Sequence, residues 1–371
     1  MFLTKTQHWI YTHVTKPVLF RLDPEDVHDA FTWLGEIAGA TAIGRMGLSA
    51  LYRYRNPMLE QTVLGIQFSN PIGLSAGFDK NAALMDVIPS VGFGFEEVGS
   101  VTGEPCGGNA KPRLWRLPKS RGIVVNYGLK NDGCEAVRRR LEGGKFEIPI
   151  GVSVAKTNSP ATVEMEAGIA DYAKAFRALQ DVADYLTVNI SCPNAYGGEP
   201  FANPERLDHL LARLDEIPTS KPVFIKLPVD ISTDELDSLV AVMSRHRVHG
   251  VVISNLTKKR DRQEIDQAEI RGMGRGGISG KPTYEASNRR IAHLFRTTGR
   301  QFVIIGSGGV FSAEDAYEKI RLGASLVQLI TGMVFEGPHL IGEINRGLVR
   351  LLKRDGLLNV SDAVGTDIKS P

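Results

Sequence analysis

The chain reads Tyr185-Leu186-Thr187-Val188-Asn189-Ile190-Ser191-Cys192-Pro193-Asn194 near its middle. The largely apolar run at its start leads into a hexapeptide that places the thiol of Cys192 between the carboxamides of Asn189 and Asn194. If the run is a buried parallel strand, these side chains emerge at its carboxyl end, where parallel α/β enzymes place their chemistry. The segment therefore predicts the active-site edge of a parallel α/β fold.

The pattern of that segment recurs after about residue 70, as a short β-rich run, a polar or glycine-containing turn and a helical stretch. The predicted strands are Ile72–Ser75, Phe95–Val101, Ile148–Val154, Tyr185–Ile190, Val223–Leu227, Gly250–Ser254, Phe302–Gly306 and Leu326–Thr331. Eight parallel strands are the number that closes a barrel. A doubly wound open sheet is the alternative, but the chain has no early Gly-x-Gly-x-x-Gly fingerprint. We therefore predict an α/β fold, a (β/α)8 TIM barrel over residues 61–371.

Residues 1–60 do not follow this rhythm, and they predict a small α-helical extension. Asp23-Pro24-Glu25 supplies an N-cap, a first-turn proline and an acid, and apolar residues follow at helical spacing from Val27 to Ala38. The segment before it, Trp9 to Arg21, mixes apolar and basic side chains. Such an amphipathic extension suits a bilayer surface or the outside of the barrel, and the sequence leaves both readings open.

The two ends of the barrel region carry further signals. Leu59–Ser69 has Gly65 between two β-rich runs and predicts a hairpin that closes the bottom of the barrel. After Gly356 the pattern is lost, and we expect a tail that frays.

Composition excludes several classes of protein. The 371 residues include 44 Lys and Arg against 42 Asp and Glu, a net charge of +2 that gives no footprint for nucleic acid. The three cysteines have no paired metal-ligand spacing, so we expect no metal and a reducing compartment. No apolar run is long enough to span a membrane, and no signal-peptide core is present.

Glycine-rich turns follow the last predicted strands. Gly306-Ser307-Gly308-Gly309 ends the seventh strand and Thr331-Gly332 the eighth, while Gly276–Pro282 follows the sixth. Barrels often bind phosphate at this place, because backbone amides free of side chains converge there. Each turn alone is more often simple loop geometry. Together they predict a phosphorylated cofactor.

Carboxamides also gather at predicted strand ends. Asn189 and Asn194 flank the fourth end, Asn255 follows the sixth, and Asn126 lies after the second. Each offers a donor and an acceptor, as a planar heterocycle with alternating C=O and N–H groups requires. Turn or capping duty is the alternative for any one of them.

Two lysines and one thiol complete the candidates. Lys226 lies inside the apolar run Val223–Leu227, where a cation is costly unless it meets an anion or reaches solvent at the barrel mouth. Lys80 lies just beyond the first strand. Cys192 could be an inert core residue, but the polar loop after it favours an accessible, functional thiol.

At these residues the chain resembles the dihydroorotate dehydrogenase family, flavin enzymes of pyrimidine synthesis, across residues 20–350. The resemblance rests on six motifs: Leu22-Asp23-Pro24-Glu25 with His28, Asn70 to Lys80, Lys111 to Leu117, Asn189 to Asn194, Gly276 to Pro282, and Ile304 to Gly309. The extension resembles that of the membrane-associated, quinone-reducing class 2. The resemblance implies a monomer attached peripherally to the cytoplasmic side of the cell membrane, with residues 1–60 giving access to the membrane and to quinone.

The family resemblance also implies roles for individual residues. FMN would be bound by Ala76, Gly77, Ser100, Ser153, Asn189, Lys226, Ser254, Gly280, Gly308, Gly309, Ile330 and Thr331, with its phosphate at the glycine-rich turns. Lys80 would hold the carboxylate of dihydroorotate, and Asn126, Asn194 and Asn255 its ring edges. Cys192 would take a proton from C5 while C6 delivers hydride to FMN. His28 and Arg116 would lie on the quinone path.

The sequence departs from class 2 at the base. That class has serine there, and cysteine marks the soluble class 1. A free thiol has a pKa of roughly 8.5, so Cys192 predicts a lower working pH than serine. Asn126 stands one position closer to the following glycine than in the family, and Leu256 replaces a hydroxyl residue.

The departures leave the electron acceptor open. Ile330 stands where many class 2 members carry a tyrosine, and with Cys192 it makes a soluble acceptor such as fumarate the alternative to quinone. A barrel that senses flavin or pyrimidine without turnover is a third reading.

Overall fold

The computed structural model describes residues 2–368, with side chains from Thr6 onward. Its strands are β1 Gln61–Val63, β2 Ile66–Phe68, β3 Ile72–Leu74, β4 Phe95–Val101, β5 Leu114–Leu117, β6 Gly122–Val125, β7 Ile150–Val154, β8 Tyr185–Asn189, β9 Val223–Leu227, β10 Gly250–Ile253, β11 Gly277–Gly280, β12 Val303–Ser307 and β13 Leu326–Leu329. Its α-helices are α1 Phe2–Ile10, α2 Lys16–Leu19, α3 Pro24–Ala40, α4 Ala42–Tyr52, α5 Ile88–Val91, α6 Cys134–Leu141, α7 Met165–Leu179, α8 Pro204–Asp215, α9 Thr233–Met243, α10 Gln267–Ile270, α11 Tyr284–Thr298, α12 Ala313–Arg321, α13 Thr331–Glu336 and α14 Leu340–Arg354. A π-helical stretch, Tyr11–Thr15, joins α1 to α2, and short 3-10 helices lie at Pro57–Leu59, Pro160–Thr162, Lys281–Thr283 and Val360–Ala363.

Eight parallel strands close into a barrel in the order β3-β4-β7-β8-β9-β10-β12-β13. The closing pair aligns Val327 of β13 with Ile72 of β3. The middle strands β7, β8 and β9 are buried along their whole length, as expected for strands covered by helices outside and side chains inside. All eight predicted strands are confirmed, with ends that shift by at most two residues. The closed ladder excludes the open sheet.

A hairpin plugs the bottom of the barrel. Strands β1 and β2 pair antiparallel around Leu64-Gly65, whose φ angles of 50° and 80° suit a two-residue turn. Phe68 at the end of β2 packs against rings at the amino ends of the barrel strands, including Phe95 and Tyr185. The hairpin predicted at Leu59–Ser69 is therefore confirmed.

The top of the barrel carries an element that the sequence did not predict. Strands β5 and β6 form a hairpin after β4, and β11, which comes after β10, pairs with β6. The resulting three-stranded antiparallel sheet stands beside the carboxyl ends of the barrel strands. Its residues Ile123, Val125 and Ser279 form one wall of the central cavity.

Helices α1 to α4 precede the first strand, and the predicted helix after Asp23 is confirmed as α3. Asp23 accepts hydrogen bonds from the backbone N–H groups of Glu25 and Asp26. The face of α3 toward the barrel carries small residues because the barrel lies close to it. A Cβ on Gly35 would lie 2.7 Å from Leu84. Its large apolar side chains point outward, with Phe31, Leu34 and Ile37 each 44–51% exposed. Among the described residues, no helix is long and apolar enough to cross a membrane.

The prediction of a frayed tail after Gly356 is wrong as far as Ile368, the last described residue. Val360 and Ala363 are fully buried, and Asn359 and Asp362 form a capping box around the short 3-10 helix. The backbone N–H of Gly365 also donates to the carbonyl of Ile320 in α12. A few buried side chains thus hold this segment without the periodicity that the sequence reading required.

Candidate active site

A central cavity of about 320 Å³ opens between the carboxyl ends of the barrel strands, the β5-β6-β11 sheet and the N-terminal helices. Most of the predicted site residues line it: His28, Ala76, Gly77, Lys80, Ser100, Arg116, Asn189, Cys192, Asn194, Lys226, Asn255, Ile330 and Thr331. They come from segments between residues 28 and 331, and strand closure brings them together. Asn126, Ser153, Ser254, Gly280, Gly308 and Gly309 lie outside the lining of this cavity.

Cys192 lies three residues beyond the end of β8, is partly exposed and lines the cavity. Burial raises the pKa of this thiol to about 11, although the backbone N–H of Asn194 and the charges of Lys156 and Lys226 lower it. Glu199 raises it further. The sequence predicted a lower working pH for a cysteine base than for a serine base. The raised pKa removes most of that difference, because the thiol stays protonated near neutral pH.

Lys156 is a functional candidate that the sequence reading missed. It is buried two residues beyond β7, and its Nζ donates to the carbonyl of Tyr196 at 2.7 Å. Its charge lies close enough to Cys192 to lower the pKa of the thiol. The signal that could have found it is the one used for Lys80: a lysine just past the carboxyl end of a predicted strand.

Lys226 is buried inside the barrel, where it points from β9 toward the cavity floor. Its Nζ donates to Ser75 Oγ at 3.4 Å, and burial lowers the pKa of its ammonium while the charge of Glu97 raises it. Glu97 is itself fully buried and accepts hydrogen bonds from Gln328 Nε2 at 2.9 Å and Thr187 Oγ1 at 3.0 Å. The lysine thus keeps a compensating carboxylate below it and faces the cavity above.

Asn189 is fixed by a short polar chain. Its Nδ2 donates to Ser100 Oγ at 2.8 Å, and Ser100 shares a 2.7 Å hydrogen bond with Ser153. Ser191 Oγ donates to Asn189 Oδ1 at 3.1 Å. Ser153 is fully buried behind Ser100, so it supports the cavity wall without lining the cavity.

The glycine-rich turns form a small cradle beside Thr331. Gly308 and Gly309 have φ angles of 114° and 72°, and a Cβ on Gly308 would lie 2.7 Å from Thr283 Oγ1. A Cβ on Gly280 would collide with the carbonyl of Arg121. Ser254 Oγ is buried and has no hydrogen-bond partner among the described residues. Bare backbone with an unpaired hydroxyl beside it fits an anionic phosphate group.

Asn126 is not brought into the central cavity. Strand alternation directs Val125, the last residue of β6, into that cavity, and Asn126 faces a second cavity. There Asn126 Oδ1 accepts from Asn109 Nδ2 at 3.1 Å. Leu256 also lines the central cavity, so two aliphatic side chains stand in it near Cys192.

Asn194 and Asn255 keep their predicted places, each held by the backbone. Asn194 Nδ2 donates to the carbonyl of Val125 at 2.8 Å, and Asn255 Nδ2 donates to the carbonyl of Ser191 at 2.8 Å. These bonds orient both carboxamides and leave further acceptor capacity on their oxygens.

Lys80 and His28 connect the barrel to the extension. Lys80 Nζ lies 3.3 Å from His28 Nε2 and 4.2 Å above the centre of the Tyr127 ring. Burial lowers the pKa of Lys80 to about 8, and burial together with Lys80 lowers the pKa of His28. Beyond His28 the cavity becomes apolar, with Leu19, Val27, Phe31, Met333 and Val334 in its walls.

Arg116 stands at this apolar end. Its Nη1 donates to the carbonyl of Leu22 at 2.9 Å, and its guanidinium lies 4.8 Å from the centre of the Phe20 ring. One cavity therefore runs from the thiol of Cys192, past Lys80 and His28, to a cation among apolar helices.

The barrel, the glycine-rich turns beside Thr331, and the buried lysine that faces the same cavity as a thiol are typical of α/β-barrel enzymes. A sequence profile described as dihydroorotate dehydrogenase matches residues 58–352. The chain belongs to the dihydroorotate dehydrogenase family, in its quinone-dependent class 2.

Individual relatives agree with that assignment. A protein of Gloeobacter violaceus named dihydroorotate dehydrogenase (quinone) is 39% identical over 95% of this chain and 98% of its own. A protein of Corynebacterium glutamicum with the same name is 36% identical over 95% and 94%. The crystal structure of ligand-free DHODH from Eimeria tenella aligns with a TM-score of 0.83 at 28% identity, covering 94% of this chain and 100% of that one.

Proposed function

We propose that this protein oxidises dihydroorotate to orotate through bound FMN and passes the electrons to a quinone, with Cys192 as the general base. The observation that carries the proposal is the continuous cavity, which joins a thiol, a lysine and two oriented carboxamides at one end to an apolar channel at the other. A polar substrate and an apolar acceptor would each find a matching end. The quinone-dependent names of the relatives support the acceptor.

FMN, when bound, supplies a carrier that accepts hydride from one substrate and releases electrons to another. Gly280, Gly308, Gly309 and Thr331 would hold its phosphate, and Ser254 would donate its unpaired hydroxyl there. The residues that would contact its ring or chain are Ala76, Gly77, Ser100, Asn189, Lys226 and Ile330, with Ser153 supporting Ser100 from behind. Lys226 would stabilise negative charge that develops above it.

The residues at the polar end would divide the work on the substrate. Lys80 would pair with the carboxylate, and Asn194 and Asn255 would hydrogen-bond the C=O and N–H groups of the ring. Cys192 Sγ would take the proton from C5, with Lys156 and Lys226 favouring the thiolate electrostatically. Asn126 lies outside this set because its side chain faces the second cavity.

The acceptor is tested by comparing electron acceptors with dihydroorotate as the only donor. We expect a short-chain ubiquinone or menaquinone to support continuous orotate formation and fumarate to support none. Turnover with fumarate but not with quinone would refute the acceptor and leave the first half of the reaction intact. Tight orotate binding without turnover on any acceptor would favour the alternative of a barrel that senses flavin or pyrimidine without catalysis.

We further propose that the N-terminal helices dock peripherally on the cytoplasmic side of the cell membrane and that the protein is a monomer. Large apolar side chains are exposed together on these helices, among them Trp9, Val18, Trp33, Ile43 and Met46, each at least 57% exposed. Several large apolar side chains exposed on neighbouring helices are typical of an interaction site. The basic residues among them suit anionic headgroups.

Membrane docking is tested by sedimentation with vesicles of phosphatidylcholine and phosphatidylglycerol. Trp33→Glu should weaken binding about tenfold, since burying one large apolar side chain contributes roughly 1.5–3 kcal/mol. Leu358→Glu is the matched control, because Leu358 is 83% exposed but lies near the C-terminus, outside the helices. Equal vesicle binding by both variants would contradict this docking surface. Light scattering of the protein without vesicles measures its mass and so tests whether it is a monomer.

A further inference from the structure

Two histidines and a glutamate meet where the first helix touches the last. His8 lies in α1, His339 is the N-cap of α14, and Glu343 lies in the first turn of α14. His8 Nδ1 and His339 Nε2 are 3.3 Å apart, and His339 Nε2 is 3.9 Å from Glu343 Oε2. The three ligand atoms lie within 4.8 Å of one another. Between residues 6 and 368 no other three histidine, cysteine or acidic side chains converge in this way.

The spacing suits a tetrahedral metal ion. Zinc–nitrogen bonds of roughly 2.0–2.1 Å at a tetrahedral angle place two ligand atoms about 3.3 Å apart, which is the separation of the two imidazole nitrogens. Two histidines and one carboxylate are also a recurring zinc ligand set, with a fourth position left for water. Glu343 Oε2, at 3.9 Å from His339 Nε2, must move closer for all three atoms to bind one ion.

The three side chains lie in a crowded, charged place. His339 is 2% exposed, so a ligand at this position is buried. Glu336 adds negative charge near Glu343, but Arg121 pairs with Glu336, and Arg346 and Arg350 lie near Glu343. The surrounding charges therefore do not attract a cation by themselves, and the proposal stands on the spacing of the three ligand atoms.

The end of the first helix and the π-helical stretch after it contact the barrel part closely. Tyr11 donates its hydroxyl to the carbonyl of Val334 at 2.8 Å, and a Cβ on Gly337 would lie 2.7 Å from the Tyr11 ring. Gln7 donates to the carbonyl of Leu51. Tyr11 and Pro338, which adjoin the histidines in space, both line the central cavity. A metal at this point would join the helix to the barrel beside the apolar end of the cavity.

We propose that His8, His339 and Glu343 bind one divalent transition-metal ion of the zinc type, which fastens the N-terminal helix to α14. No sequence pattern points to this site, because the two histidines are 331 positions apart and neither belongs to a spaced ligand motif. The proposal is independent of the reaction in the barrel. Its tests therefore use binding and protection as readouts.

Binding is measured on the full-length flavoprotein, stripped of metal by a chelator and free of any histidine tag. We expect Zn²⁺ calorimetry to give one ion per chain, and Co²⁺ to give the visible absorption of a tetrahedral site. His8→Ala and Glu343→Gln should each weaken binding at least about tenfold, as loss of a ligand requires. His13→Ala is the control, since His13 is exposed in the π-helical stretch that follows α1 and stacks on Trp9. Unchanged flavin content shows that each variant is folded.

Three results would overturn the site: no stoichiometric binding by the native protein, equal binding by His8→Ala, or an equal loss in His13→Ala. The fastening role is tested by hydrogen exchange. Zn²⁺ should slow exchange of the backbone amides of residues 2–19 in the native protein and leave His8→Ala unaffected. Binding without this protection would contradict the fastening of the helix.

Discussion

The mouth of the barrel and the N-terminal helices share one cavity but are built in opposite ways. At the mouth, polar side chains such as Lys226 and Asn189 are buried on strand ends, and Asn189 is fixed by a short hydrogen bond to Ser100. On the helices, apolar side chains such as Trp33 and Ile43 are exposed. Rigid polar groups suit the making and breaking of bonds, whereas an exposed apolar surface suits contact with a membrane and with its solutes.

Several polar contacts hold the two regions together. Arg113 beside the barrel makes a buried two-point ion pair with Glu25 at the start of α3, at 2.7 and 2.9 Å. Although burial raises it, the pKa of Glu25 falls to about 2 because Arg113, Lys111 and Lys130 surround the carboxylate. His28 bonds the carbonyl of Phe78, and Arg116 bonds that of Leu22. The difference predicts two separable half-reactions, one at each region.

The largest effect should come from Cys192→Ala. Loss of a general base slows proton transfer by about 10²–10⁴-fold, so flavin reduction by dihydroorotate should fall by that factor in stopped-flow absorbance. FMN content and orotate affinity should remain. Cys134→Ala, which removes a thiol fully buried elsewhere, should reduce flavin at the native rate. Near-normal flavin reduction by Cys192→Ala would show that Cys192 is not the general base.

Lys226→Met should have the next largest effect. Loss of a buried charge aimed at a developing anion costs about 10²–10³-fold, and the flavin reduction potential should become more negative. Lys319→Met is the control, because Lys319 is a fully buried lysine bonded to Asn288 between the outer helices. The control should lose stability without a change in potential. An equal shift of potential in both variants would show that the effect is only structural.

The half-reactions assigned to the two regions should also differ in their dependence on pH. Because the pKa of Cys192 is raised to about 11, the thiolate fraction below that pH increases about tenfold per unit, and flavin reduction should increase with it from pH 7 to 9. Dihydroorotate must be saturating, since Lys80 loses its charge around pH 8. Reoxidation of reduced enzyme by quinone should stay nearly flat over this range. A rate of flavin reduction that does not change between pH 7 and 9 would show that the bound substrate changes the environment of the Cys192 thiol.

Glu25→Ala should act on the extension alone. It leaves Arg113 buried without this carboxylate, a change that costs about 3–5 kcal/mol in other proteins, and a loss of even about 1.4 kcal/mol lowers the equilibrium constant for packing of the extension on the barrel roughly tenfold. The steady-state rate of quinone reduction should fall about tenfold, and the anaerobic rate of flavin reduction should stay at the native value. Glu36→Gln, at an exposed position of the same helix, is the control. Parallel loss of both half-reactions in Glu25→Ala would contradict the division between the regions.

Much of the barrel could be predicted from the sequence, because strands buried on both faces appear as short apolar runs with polar tips. That reasoning located Cys192, Lys80 and Lys226 correctly at strand ends. It failed for the β5-β6-β11 sheet, which joins segments more than 150 residues apart. It also failed for Asn126, because the direction of that side chain depends on the exact register of β6. Lys156 could have been predicted by the rule already in use.

The extension could be predicted only in part. The cap at Asp23 and the helical spacing defined α3, but they could not say which face would pack on the barrel. The structure shows that the small residues, such as Gly35, face inward and the large apolar ones face out. The meeting of His8 with His339 depends on tertiary packing alone.

The most direct test of the central claim is anaerobic mixing of the full-length flavoprotein with dihydroorotate, followed by mixing with quinone. We expect dihydroorotate to bleach the flavin with one orotate formed per flavin, and quinone then to restore the colour. A flavin that stays oxidised with saturating dihydroorotate would refute the proposed reaction, since the cavity around Cys192 would then serve another substrate.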